Sequence, residues 1–106
     1  MISEERLTKA LTYLAETDEE SAELKADVAR REYRCKLARA RGFVEAEGSV
    51  EARKAAAELS DHVITAEEDL VTAIVAFEKV KAKRATEELI VEVWRSVSAN
   101  RRVGNV

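Results

Sequence analysis

Apolar residues recur from Ser60 to Arg102 at steps that alternate between three and four: Val63, Ala66, Leu70, Ala73, Phe77 and Val80, then, after a gap, Val91 and Trp94. This a/d spacing belongs to a helix that packs along its length against another helix. The stretch contains no proline, and its first glycine is Gly104. At ~1.5 Å per residue the helix would run roughly 60 Å, twice the ~30 Å expected of a compact domain of this size.

The earlier part of the chain supplies the partner. Ser3 reads as an N-cap, with Glu4 and Glu5 in a first turn where the helix dipole favours acids. Leu7, Ala10 or Leu11, and Leu14 then share a face, which predicts a short helix over about 4–16. Thr17-Asp18-Glu19-Glu20 has the form of a capping box, so a second helix is expected over about 18–47. A single helix continuous through Thr17 is the alternative, and the box favours the break. The second helix carries Leu24, Val28, Cys35 and Ala38 on one face, with Ala22, Ala26, Ala29, Tyr33, Leu37 and Ala40 beside them. Gly42 would bend or fray its end at a cost of about 1 kcal/mol relative to Ala.

Gly48-Ser49 is the strongest turn signal: a left-handed glycine to end one helix and a serine to cap the next. A short helix follows over about 50–59, and Ser60-Asp61 opens the final helix over about 61–100. Asn100 and Gly104 are expected to end it, leaving Val103–Val106 frayed. The expected fold is all-α: one domain over 1–106, a long antiparallel helical hairpin, coiled-coil-like, with a short N-terminal helix.

Composition agrees with this architecture. The chain has 106 residues, 46% hydrophobic and 37% charged but only 5% aromatic, with no proline. Such a mixture makes helical seams and not wide globular interiors, and a small domain of this kind gains by self-association. The net charge of −3 hides a pattern: the net is −5 over residues 1–24, +5 over 25–41, −7 over 42–78 and +4 over 79–106. In an antiparallel hairpin the basic block 25–41 faces the acidic block 61–78, and the acidic N-terminal block faces the basic C-terminal one. Each exposed pair contributes only about 0–1 kcal/mol, so the blocks set register more than stability. The lone Cys35 rules out an internal disulfide and fits a reducing, cytoplasmic setting. The start Met1-Ile2-Ser3-Glu4-Glu5 does not read as a signal peptide, and no apolar run reaches the ~20 residues that span a bilayer.

Three segments carry a resemblance. They are Glu47-Gly48-Ser49-Val50-Glu51-Ala52-Arg53, then Ala66-Glu67, and Glu92-Val93-Trp94-Arg95-Ser96 followed by Ser98-Ala99-Asn100-Arg101. In this order they resemble a family of small coiled-coil proteins of tailed bacteriophages, often encoded near early recombination and replication genes. The likeness runs from Thr17 onward. It implies a phage origin, a place in the host bacterial cytoplasm and work beside DNA recombination, and it brings no catalytic residues with it.

The candidate chemistry is sparse. His62 is the one histidine, and Glu58 precedes it by four residues, but a metal site needs three or four converging ligands. Cys35 lies near Arg31 and Arg34, the setting of a reactive thiol, yet at a seam position where a small apolar residue is expected. Phosphate-binding glycine loops, nucleophile elbows and Cys-x-x-Cys pairs are absent from the sequence. No catalytic residue, cofactor or metal is expected, and the protein is not expected to be an enzyme.

Two basic stretches remain. Residues 25–41 place Arg30, Arg31 and Arg34 around Tyr33, a pattern that suits nucleic-acid phosphates with one stacking ring, though the negative overall charge favours pairing with the acidic block instead. Lys81, Lys83, Arg84, Arg95, Arg101 and Arg102 form the second set, near Trp94, and both sets are candidate contacts for nucleic acid or a partner. The expected oligomer or core seam comprises Leu70, Phe77, Val80, Leu89, Ile90, Val93 and Trp94. The leading expectation is a non-enzymatic accessory protein that forms a homo-oligomer, dimer or higher, and acts through protein contacts. A DNA-binding recombination mediator and an inhibitor of a host defence protein or nuclease are the alternatives. A membrane partner is not expected.

Overall fold

A computed structural model describes residues 1–104 of the chain. Three helices account for nearly all of it: α1 (Glu4–Glu45), α2 (Val50–Glu58) and α3 (Asp61–Gly104). The fold is all-α and built on a helical hairpin. The chain divides into two compact units: Met1–Ala22 with the chain from Glu78 on, and Glu23–Phe77.

In the first unit the start of α1 lies antiparallel to the end of α3. Met1 meets Arg101, Arg6 meets Glu87 and Asp18 meets Arg84, so partners draw closer in sequence along α1. In the second unit the rest of α1 and the start of α3 are joined through α2, and Arg31 meets Asp69 while Arg39 meets Glu67.

Three of the expected caps form, at Ser3, Ser49 and Ser60. Ser3 Oγ accepts from the amide of Arg6 at 3.0 Å, and Ser49 Oγ accepts from that of Ala52 at 3.2 Å. Ser60 Oγ donates to the carbonyl of Ala57 at 2.8 Å and accepts from the amide of Val63 at 3.4 Å, tying the end of α2 to the start of α3. Gly48, in the turn between α1 and α2, takes a positive φ of 107° that few other residues adopt.

The break after the first helix does not occur. α1 is continuous from Glu4 to Glu45, in place of helices over 4–16 and 18–47. Thr17 is not a cap. Its hydroxyl donates to the carbonyl of Tyr13 at 2.8 Å, one turn back, and the residue is 8% exposed at a seam position. A threonine that satisfies itself this way is tolerated inside a helix. Gly42 lies within the last turn of α1, packed against α2. A Cβ there would lie 3.0 Å from the Cα of Ala57, so glycine lets α1 and α2 approach. At the other end α3 runs through Asn100 to Gly104, with Arg101 and Arg102 in a last turn where the helix dipole favours bases. Val103 and Gly104 are therefore helical, while the expected fraying of residues 105–106 lies outside the described residues.

The seam on α3 has no gap. Arg84 and Glu87 hold the positions between Val80 and Val91, and the three-four steps continue through them. Along α1 the same steps run through Leu7, Ala10, Leu14, Thr17, Ser21, Leu24, Val28, Arg31, Cys35, Ala38 and Gly42, all buried or half-buried.

Candidate contact surfaces

The polar seam positions carry an ionic network in the first unit. Arg84, its side chain 17% exposed, donates to the carbonyl of Leu14 (2.9 Å), Thr17 Oγ1 (2.7 Å) and Asp18 Oδ1 (2.6 Å). One guanidinium thus satisfies a carbonyl, a hydroxyl and a carboxylate. Glu87, its side chain 9% exposed, has both oxygens within 2.8 Å of Arg6 Nη2, with only Oε1 aligned as an acceptor. The ammonium of Lys83 lies 4.5 Å from the centre of the Tyr13 ring, a cation–π contact. Trp94 is half-buried and, with Met1, Ile2 and Arg101, lines a small cleft.

The second unit shows the expected block-to-block pairing. Arg31 bridges Asp27 (3.5 Å) and Asp69 (3.3 Å), and Arg39 bridges Glu58 (2.7 Å) and Glu67. Arg53 sits 5.8 Å over the Phe43 ring. Cys35 is 2% exposed, which makes it a seam residue closed to substrates. His62 is exposed on the first turn of α3, and Glu58 is engaged by Arg39.

These contacts sort the candidate cations. Arg31, Lys83 and Arg84 are held within the chain, and Lys81 is engaged as well. Arg30 only reaches Asp27 at 4.0 Å, Arg95 pairs with its neighbour Glu92 at 3.5 Å, and Arg101 contacts Met1. Arg34 and Arg102 are exposed and have no acid or ring against them among the described residues.

The apolar candidates also divide. Leu70, Phe77, Val80 and Trp94 are half-buried in the intrachain seam, and Ile90, one position before Val91, is half-buried beside it. Leu89 and Val93 lie outside the intrachain seam: they are 62% and 43% exposed, off the three-four register that Glu87, Val91 and Trp94 keep. The sequence reading missed a second stripe, Ile64, Val71, Ile74 and Val75 on α3, which are 47%, 58%, 37% and 46% exposed. Its signal was present as the spacing of seven and four between Ile64, Val71 and Val75, out of phase with the seam. On α1 the outer face of the same unit exposes Tyr33 and Leu37 among alanines.

Among the described residues no group of three or more His, Cys, Asp or Glu side chains could hold a metal ion. None of the helices described is long and apolar enough to cross a membrane. A comparison with protein-family models finds none that matches, and comparisons with curated proteins and with solved structures find no match either.

Proposed function

We propose that the protein is a non-enzymatic helical contact module that binds a second copy of itself. The observation that carries this reading is the exposed stripe Ile64, Val71 and Val75, three β-branched side chains at 47%, 58% and 46% exposure on one flank of α3. Val71, Ile74 and Val75 lie three or four residues apart and form one contiguous apolar patch, and Ile64 lies on the same face two turns before Val71, beyond Glu68. Exposed apolar residues are ordinary singly, whereas a contiguous strip with a polar rim marks a contact.

The charge around the strip points to its occupant. Glu67 and Glu68 flank it, and Glu68 is exposed. The outer face of α1 in the same unit has the opposite sign: exposed Tyr33, Ala26 and Ala29 with Lys25, Arg30 and Lys36 beside them. An apolar face rimmed by acids and an apolar face rimmed by bases, both on one chain, suit each other across two copies. Such a contact joins unlike patches, so it closes into a ring or grows as a chain of protomers. The phage setting, a cytoplasmic location and a role in recombination rest on the resemblance alone and form the wider context of this proposal.

Light scattering on a sizing column tests it. The wild type should form an oligomer, and Val71→Asp with Val75→Asp should run as a monomer with unchanged helicity, since neither residue belongs to the intrachain seam. A wild type that is monomeric at every concentration would sink the reading. If the chain instead forms a complex with a single-stranded oligonucleotide that weakens steeply with salt, direct DNA binding takes its place.

A further inference from the structure

We propose that Arg34, Arg41 and His62 form a binding site for a phosphate group. The three side chains line one open cavity of about 250 Å³ in the second unit, floored by Leu37 and Ala38. Arg34 and Arg41 stand seven residues apart on α1 and so share a face, while His62 reaches the same space from the first turn of α3.

What distinguishes these arginines is the absence of an internal counter-charge. Arg31 and Arg39, on the same helix, are held by Asp69, Glu58 and Glu67. Arg53, on α2, lies over a ring. Arg34 and Arg41 have neither an acid nor a ring against them among the described residues, and no carboxylate lines their cavity. Asp61, the neighbour of His62, is exposed and lies outside the lining. Elsewhere in this unit each guanidinium meets an acid or a ring; here two stand together beside an imidazole with neither.

The chemistry selects the ligand. A guanidinium presents a planar fork of donors that matches the oxygens of a carboxylate or a phosphate. A carboxylate offers two oxygens in one plane. A phosphate offers several in a tetrahedral array and can accept from two arginines and a histidine that approach from different helices. The cavity is smaller than the roughly 300–1,000 Å³ of pockets that enclose whole small molecules, so it suits the phosphate group alone, with the rest of the ligand in solvent. Inorganic phosphate and the phosphodiester of a nucleic-acid strand share this chemistry.

The test titrates the full chain at low salt with sodium phosphate, sodium acetate and a short single-stranded oligonucleotide, following the side-chain NMR signals of Arg34, Arg41 and His62. Phosphate or the oligonucleotide should shift all three signals, and acetate should be at least about tenfold weaker. Arg34→Gln with Arg41→Gln should weaken binding about tenfold or more, while Lys79→Gln, an exposed cation outside the cavity and outside the self-contact faces, should not. A response to inorganic phosphate places a free phosphate in the site, and a response to the oligonucleotide alone places a strand phosphate there. Equal response to acetate, no response at all, or loss shared by Lys79→Gln would overturn the proposal. So would a double variant that loses the wild-type oligomer in phosphate-free buffer, because the arginines would then serve the carboxylates of a second copy. These substitutions leave the stripe on α3 untouched, so the phosphate site can fail while self-association stands.

Discussion

Arg84 and Glu87 sit at two consecutive positions of a seam whose other members on α3 are mostly apolar. Their burial is tolerable because each is answered from α1. Arg84 reaches a carbonyl, a hydroxyl and a carboxylate, and Glu87 reaches Arg6. Buried polar groups of this sort add less to stability than to register, since a slipped pairing would leave them unsatisfied. Glu87→Gln should therefore destabilise the chain by about 1–2 kcal/mol, below the figure for a fully buried pair because Arg6 is partly exposed. Urea unfolding of the variant against the wild type reads this directly. A loss near zero would mean that the carboxylate is solvated and not a seam residue. Gly42 is the opposite case: a residue read as a weak point is in fact where a larger side chain would press on the backbone of Ala57.

At the level of elements, the seam of α3 was readable from Val63 to Val80 because its members there are apolar and hydropathy carries the period. It faded over Arg84 and Glu87 because the period continues there in geometry but not in hydropathy. The same limit hid the continuity of α1. Thr17 and Ser21 are seam residues that look like a cap and its neighbourhood, and only Arg84, far along the chain, shows what Thr17 faces. Candidate cations could be named from sequence but not sorted, since the sorting depends on which acid or ring each one meets. The unbroken α1 makes a definite prediction. Amides at Asp18, Glu19 and Glu20 should exchange with solvent as slowly as those near Leu24 and Val28. A helix that began at Asp18 would leave those three without intrahelical acceptors and exchanging fast.

For the whole molecule, the alternating charge blocks and the two compact units describe one organisation. Within each unit a segment of α1 meets a segment of α3 of mainly opposite sign, and each unit has buried residues of its own. Ala10, Thr17, Glu87 and Val91 serve the first, and Cys35, Ala57, Val63 and Ala73 the second. The second unit also contains both helix caps of the turn, at Ser49 and Ser60. Packing and ionic pairing that are local to a unit favour opening that is local too. Ala10 is fully buried, so Ala10→Asp puts a carboxyl where no partner awaits it, a change that costs several kcal/mol. Hydrogen exchange should then show lost protection over residues 4–22 and 78–104, while amides around Cys35 and Val63 keep most of theirs. Equal loss in both units would mean that continuity of α1 and α3 outweighs local packing and that the chain opens as a single cooperative body. The expected result follows from the second unit having its own turn, caps and ion pairs, none of which depends on Ala10.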